Sequence, residues 1–356
     1  MKSILTNKRI LITGGTGSIG ESLVKRAITD NAKSIKIFSN DENGLYELES
    51  LLGKHKNIDF IIGDIRDENT VKNITKKIDI IFHAAALKHV DRCELYPAEA
   101  FSVNVLGTQN VVKSAIEQNV KRVISISTDK AVNPIGVMGA TKLLGEKLLS
   151  AEAFHKNSST IFASVRFGNV FHTRGSILPK IEKQIKQGGP ITLTDKKMKR
   201  FFMTKNDAVS LILKATEIAR GGEIFVLKMP LLKLDDLFES MKTLLAPKYG
   251  FTPSKIKTKI TGVRPGEKFT EYLLSSFEME HVIETKNFYI IPSMFKKIST
   301  SNYLKAKKSK NLQNYFETLK PINQNKLSSE FKLVFDHDDY DLTTGFQSFE
   351  NLQLAN

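Results

Sequence analysis

The feature that most constrains this chain is a glycine loop set between a strand and a helix at its start. Residues 9–13 (RILIT) are an apolar, β-branched run, and Gly14-Gly15-Thr16-Gly17-Ser18-Ile19-Gly20 follows at once. Glycines at 14, 17 and 20 permit a tight turn and a close approach of backbone to a ligand. The helix opening behind them presents unbonded N–H groups and the positive end of its dipole. Together these make a seat for a pyrophosphate, so Gly14, Thr16, Gly17, Ser18, Ile19 and Gly20 are expected to hold a dinucleotide. A glycine triplet elsewhere would signify little more than a loop; its place directly after the first strand gives it weight.

Strand-like runs recur at residues 34–39, 59–63, 78–83, 122–127 and 162–167, separated by stretches of helical period. Residues 98–118 read as one long helix, with Ala100, Val103, Leu106, Val111, Val112 and Ala115 on its inner face. Another helix should begin near Gly139 and carry Lys142, Leu143, Glu146 and Leu149. Such alternation predicts an α/β fold, a doubly wound parallel Rossmann sheet with a smaller C-terminal substrate-binding domain. The rhythm shortens from about Gly175, with Gly188-Gly189-Pro190 and Gly221-Gly222 as punctuation. The expected division is 1–174 for the dinucleotide domain and 175–285 for a substrate region interleaved with it. Residues 286–356 are expected to form a polar, lysine-rich tail, serving as an oligomer contact or lid or left partly disordered.

Composition removes several classes. With 356 residues, 41% of them hydrophobic, the chain can bury a substantial core. A single cysteine, Cys93, excludes an internal disulfide framework and a thiol-based zinc site, and no metal is expected. The N-terminal apolar run reaches Gly14-Gly15 too soon for a signal segment, and no stretch approaches the roughly 18 apolar residues of a membrane span. The expected location is the cytoplasm. A formal charge of +15 raises nucleic acid as a partner. Yet the lysines are spread along the chain, denser only over 296–310, without interleaved aromatics. The basic surface suits a phosphorylated cofactor or a sugar diphosphate, and no nucleic acid is expected.

The G-x-x-G-x-x-G spacing resembles the short-chain dehydrogenase/reductase superfamily. At the end of the second strand, Ser39-Asn40-Asp41 should lie beside the adenosine ribose. An acid at that strand end would favour NAD; Ser39 stands there instead, and similar NADP-using relatives often place arginine where this chain has Asn40. The expectation is NADP or NAD, with NADP preferred. Gly63-Asp64-Ile65-Arg66-Asp67 resembles the adenine-contacting segment of extended members, implying contacts from Asp64 and Ile65. Asp64 and Asp67 serve equally well as turn and cap residues. Ala84, Ala85 and Ala86 leave room for a cofactor to lie against the backbone, and Lys88 can reach a substrate hydroxyl or phosphate. His83 reads as a packed or capping residue outside the chemistry.

The resemblance sharpens at Ser127-Thr128-Asp129-Lys130 and at Met138-Gly139-Ala140-Thr141-Lys142. With Arg166-Phe167-Gly168-Asn169-Val170, Arg174-Gly175-Ser176 and Gly262-Val263-Arg264-Pro265-Gly266-Glu267-Lys268, these resemble the extended UDP-N-acetylglucosamine 4,6-dehydratases of bacterial surface-sugar synthesis, from about residue 8 to residue 272. The superfamily's usual tyrosine, four residues before the lysine, is here Met138, which cannot titrate; a subgroup of these dehydratases carries methionine there. Alone, Met138 reads as core filler, and the resemblance implies a place beside the cofactor.

That resemblance implies a lyase. Oxidation at C4 of the hexose acidifies C5–H, water leaves across C5 and C6, and the hydride returns to C6. Lys130 is the expected base at C5, a role that requires the neutral amine, and Asp129 the expected acid at the departing hydroxyl. Thr128 should bond the C4 oxygen and Lys142 the nicotinamide ribose. Arg264 and Arg174 are expected at the diphosphate, Glu267 at a ribose hydroxyl and Asn169 at further substrate groups; surface pairing is the plainer account of both arginines. The partners implied are a UDP-sugar and a second copy of the chain. An epimerase or 4-ketoreductase of the same fold, or a non-catalytic NAD(P)-binding protein, are the alternatives.

Overall fold

A computed structural model describes residues 2–152, 159–295, 300–303, 306–308 and 311–335. The chain forms two compact units, one comprising Met1–Phe167, Val209–Leu227 and Leu273–Lys310, the other Gly168–Ala208, Lys228–Tyr272 and Asn311–Asn356.

The first unit is built on strands β1 (Arg9–Thr13), β2 (Ser34–Ser39), β3 (Ile58–Ile62), β4 (Ile80–His83), β5 (Arg122–Thr128) and β6 (Ile161–Phe167). They lie parallel in the order β3-β2-β1-β4-β5-β6. These runs are Ile- and Val-rich because both sheet faces are covered, which leaves no polar face to alternate with. The covering helices include α1 (Ser18–Thr29), α2 (Glu42–Leu52), α3 (Glu68–Thr75), α4 (Val90–Leu95), α5 (Pro97–Phe101), α6 (Gly107–Glu117) and α7 (Val137–Ala151). On one face Leu11, Phe38, Val71, Ile81, Val111 and Val123 close a continuous core. Each such fully buried side chain contributes about 1.5–3 kcal/mol. The strand order reverses between β1 and β4, and at such a switch point the loops leaving the strands diverge into a ligand crevice.

Two sequence expectations are corrected here. The stretch 98–118 is not one regular helix: α5 and α6 are joined by a π-helical turn, Ser102–Leu106. The wider turn shifts the helical face, so Asn104 points inward while Leu106, expected on the apolar face, is 41% exposed. The domain boundary also falls elsewhere. The first unit ends at Phe167, and the chain returns to it because Glu223–Leu227 pairs parallel with β6. Phe288–Ile291 then adds antiparallel, followed by Ile283–Glu284 and Lys307–Lys308, giving ten strands among the described residues. The start of the expected tail therefore joins this sheet, through Phe288–Ile291 and Lys307–Lys308. Most of the lysine-dense stretch 296–310 and the acidic end, 336–356, lie outside the described residues.

The second unit holds a small sheet of Leu231–Lys233, Lys199–Met203 and Asn169–Val170, and a parallel pair, Ile191–Leu193 with Thr258–Ile260. Helices Ile177–Lys186, Leu234–Leu245 and Gln324–Phe335 pack around Phe171, Phe202, Phe238 and Phe331, with the Phe171 and Phe202 rings stacked at 4.6 Å. The last helix, placed by the sequence in a tail of uncertain order, is tied in by Leu327, Phe331 and a 2.8 Å hydroxyl contact of Ser328 with Ser240.

Candidate active site

The expected cofactor residues from Gly14 to Ala86 lie at the C-terminal ends of the parallel strands or in the loop or first helical turn that follows, while Met138 and Lys142 lie on α7. Gly14, at φ +65°, brings the loop after β1 against the loop after β4. A Cβ there would stand 2.6 Å from the Ala85 nitrogen and 2.8 Å from the Ala84 carbonyl carbon. Gly20 packs equally tightly, its Cβ position 2.3 Å from the Gly14 oxygen. Gly17 differs. It caps α1 with ordinary backbone angles and no side-chain cap, and a Cβ there would meet only the Gly14 oxygen, at 3.2 Å. A Cβ there needs that oxygen to give by only a few tenths of an ångström, a smaller demand than at Gly14 or Gly20, and glycine leaves the N-terminus of α1, with Ser18 and Ile19 in its first turn, open to an anionic group. These residues fit a nicotinamide dinucleotide.

Around the expected ribose position the structure spends the side chains locally. Ser39 is buried and bonds the Thr16 hydroxyl at 2.9 Å, while Asp41 caps α2 by accepting the Gly44 N–H at 3.0 Å. Asn40 is exposed. Asp64 pairs with Arg66 at 2.6 Å, which holds its carboxyl below the usual range. Asp67 caps α3, accepting from the Asn69 and Thr70 N–H groups, so the capping account of that residue is the one observed. Ile65 is buried in the core against Gly107.

His83 lies outside the chemistry. It is buried between the Thr13 and Thr108 hydroxyls, at 2.8 and 3.0 Å, and burial together with the charge of Lys142 lowers it to about 3. Ala84, Ala85 and Ala86 are half-buried and Lys88 is exposed. The loop carrying Lys88 is pinned by Asn104, whose amide accepts from the Leu87 N–H at 2.8 Å and donates to the Leu87 carbonyl at 3.0 Å. The same amide donates to the Thr141 hydroxyl on α7. Asn104 is absent from the expected site residues; a polar residue within an apolar helical run was the available signal.

At the end of β5 the structure brings together the residues expected to be catalytic. A 3₁₀ turn, Asp129–Ala131, begins with Thr128 as its cap. Thr128 donates to Asp129 Oδ1 at 3.0 Å, and Lys130 Nζ donates to the same oxygen at 3.0 Å. Asp129 is wholly buried and Lys130 Nζ keeps some access, its side chain 24% exposed. Asp129 Oδ2 is buried and accepts no hydrogen bond. Gly139 lets α7 press on this turn: a Cβ there would be 2.3 Å from the Lys130 carbonyl oxygen. Glu94 caps the same helix by accepting the Val137 N–H.

Met138 packs with Cys93 and Ala100 in a small apolar cluster, as core filler would. Lys142, one turn on, keeps part of its surface open but is surrounded by protein. That burial lowers its amine to about 8, against an upward pull from Glu146. Burial thus brings Lys142 toward neutrality.

The second unit carries the residues expected at the nucleotide. Asn169 opens the strand beside Phe202. Arg174 and Arg264 are exposed on loops. Glu267 turns back on Arg264 through a 3.1 Å backbone bond, and its Oε2 is buried without a hydrogen bond. Its Oε1 accepts from Arg200, 3.4 Å away, a residue the sequence reading passed over. Arg200 also donates to the Lys199, Lys268 and Phe269 carbonyls and so holds the 264–269 loop. An arginine inside the apolar strand KRFFM was the signal.

The parallel sheet with its glycine seat and the lysine-bearing helix beside the end of β5 define an extended short-chain dehydrogenase/reductase. The chain belongs to the polysaccharide biosynthesis protein family, whose pattern it matches over residues 10–293. It is similar to an uncharacterized membrane protein of Methanocaldococcus jannaschii, 50% identical over 286 residues, 80% of this chain and 86% of that one. A UDP-glucose 4-epimerase of Rickettsia bellii is 40% identical over 305 residues, 84% of this chain and 87% of the relative. Among solved structures, Pen from Bacillus thuringiensis superposes with a TM-score of 0.84 at 40% identity, covering 92% of this chain and 97% of that chain. Among the described residues no helix is long and apolar enough to cross a membrane.

Proposed function

We propose that the chain is a UDP-N-acetylglucosamine 4,6-dehydratase, forming a UDP-4-keto-6-deoxy-N-acetylhexosamine for surface glycan synthesis. The observation that carries this is the Asp129–Lys130 pair at the end of β5, with an apolar Met138 where the superfamily's phenol would stand. When bound, the nicotinamide supplies hydride acceptance from C4 and hydride return to C6. Lys130 Nζ takes the C5 proton that the C4 ketone has acidified. Asp129 hands a proton to the leaving C6 hydroxyl through Oδ2, the oxygen its neighbours leave unbonded. One water departs, and proton and hydride return to C5 and C6, so no net oxidation occurs. Thr128 orients the C4 oxygen, Lys142 the nicotinamide ribose, and Lys88 a substrate hydroxyl or phosphate. Arg264, Arg174, Glu267 and Asn169 are assigned to the nucleotide end. NADP is preferred over NAD because the carboxylate nearest the end of β2, Asp41, is engaged with the first turn of α2.

The relative named UDP-glucose 4-epimerase favours a second reading, reversible oxidation at C4 without loss of water. Epimerisation needs one acid/base group at the C4 hydroxyl, and the Asp129–Lys130 pair exceeds that need. Incubation with UDP-N-acetylglucosamine followed by mass analysis separates the two. Loss of one water supports the dehydratase, an isomer of unchanged mass supports the epimerase, and cofactor binding without turnover supports a non-catalytic protein.

The methionine gives a second test. Met138→Tyr places a phenol one turn before Lys142, on the same helical face. Because Met138 is packed against Cys93 and Ala100, the added hydroxyl enters an apolar cluster. Dehydration by Met138→Tyr should stay within about tenfold of wild type, about 1.4 kcal/mol of barrier. An inert wild type revived by tyrosine would show that Asp129 and Lys130 do not suffice.

A further inference from the structure

Behind the active-site helix lies a buried charge cluster to which the proposed reaction assigns no role. Arg166 on β6 is fully buried, and every N–H of its guanidinium is used. It bonds both Glu146 oxygens, at 3.1 and 2.8 Å, both Glu278 oxygens, at 3.1 and 2.9 Å, and the Leu273 carbonyl at 3.0 Å. Glu278 is fixed in turn by a capping box with Ser275. Burial works against both charges, yet the two carboxylates hold Arg166 above its usual value and Arg166 holds Glu278 below the usual carboxylate range.

The cluster does not balance. One guanidinium against two carboxylates leaves a net charge of −1 in a buried place, which is costly unless a cation stands near. Glu146 is four residues after Lys142 on α7, on the same helical face and one turn away. Adding Lys142 brings the sum to zero. The other charged groups on elements packed against α7 are committed or exposed. Glu94 on α4 caps the helix, Glu99 on α5 pairs with Arg66, and Asp129 and Lys130 pair with each other. Asp91 and Arg92 on α4 are exposed, Lys113 and Glu117 on α6 pair with α3, and Arg122 on β5 bonds the Ala219 carbonyl. His83 on β4 is neutral near pH 7.

We propose that Glu146, held by the Arg166 guanidinium, is the counter-charge that keeps Lys142 cationic in its water-poor setting, and so a positioning residue for the cofactor-holding lysine. Lys142's role at the cofactor rests on the function proposed above; the charge coupling itself does not. A lysine carried on a helix already has its direction set by the backbone. What the cluster adds is the protonation state, and it fixes the carboxylate that sets it by two hydrogen bonds from Arg166, whose other three donors go to Glu278 and the Leu273 carbonyl.

The test reads Lys142 directly. Trace acetylation of the full chain with acetic anhydride across a pH series, followed by peptide mass spectrometry, gives the midpoint at which the Lys142 amine becomes nucleophilic. Glu146→Gln keeps the shape of the side chain and removes its charge, so the midpoint should fall by about one pH unit or more. Glu278→Gln removes a carboxylate from the far side of the guanidinium and loosens the same cluster, yet should move the midpoint by less than half as much. An unmoved midpoint in Glu146→Gln, or equal shifts in both variants, overturns the proposal, since a purely structural role would lower both melting temperatures alike and leave Lys142 untouched. If Glu146→Gln does not fold, Glu146→Asp carries the test, with a smaller fall expected as the charge recedes by one methylene. Cofactor affinity measured on the same samples keeps the two readings apart. Absence of cofactor binding in the wild type would remove the role given to Lys142 and leave the midpoint result standing.

Discussion

Lys130→Ala should lower dehydration of UDP-N-acetylglucosamine by about 10²–10⁴-fold, the usual worth of a positioned acid or base, with cofactor affinity nearly unchanged. The reason is geometric. Lys130 Nζ donates to Asp129 Oδ1 and lies on a turn whose backbone is fixed independently, by the Thr128 cap and by the Gly139 contact from α7. Truncating the side chain therefore removes the amine without moving the glycine seat around Gly14. Asp129→Asn should block water loss to a similar degree and leave slow exchange of the C4 hydride, because oxidation at C4 does not need an acid at C6. Single-turnover assays with substrate deuterated at C4 read both steps. Wild-type dehydration in Lys130→Ala removes that residue as the base, and normal dehydration in Asp129→Asn removes the acid.

What the sequence made legible was local. β1 and β2 fall where the apolar runs place them, since a strand buried on both faces is rich in apolar, β-branched residues. The glycine loop was legible because it is a few consecutive residues whose conformation depends on spacing, and the Thr128-Asp129-Lys130 turn was singled out by resemblance. Illegible features depend on distant partners. Arg166 meets Glu146 and Glu278, 20 and 112 residues away, and no window of sequence shows that three charges will be buried together. Interleaving was expected, but not which segment returns, because Glu223–Leu227 looks like any short strand until it pairs with β6. Leu106 misled for a subtler reason: its period was right for an α-helix, and a π-helical turn of five residues rotated it outward. Met138 was legible in its plainer reading: its side chain packs with Cys93 and Ala100, as core filler would.

Two glycines three residues apart should respond in opposite ways, and the contrast tests the cofactor seat without any turnover. Gly14→Ala must hold an L-residue at φ +65° and push a methyl into the Ala84–Ala85 backbone, 2.6 Å from a nitrogen that cannot rotate away. The left-handed conformation alone costs about 1–2 kcal/mol; with the collision, a loss of about 3 kcal/mol is expected. The thermal melt should fall by several degrees and nucleotide binding should disappear with the loop geometry. Gly17→Ala asks nothing of the backbone, whose angles of −69° and 157° suit alanine, and its methyl meets only one oxygen at 3.2 Å. The melt should hardly move. Affinity for NADP or NAD, read by calorimetry, should nonetheless fall by about tenfold or more, about 1.4 kcal/mol, because the methyl stands where the pyrophosphate must approach the helix. Full affinity in a well-folded Gly17→Ala variant would mean that the phosphates do not sit on the N-terminus of α1.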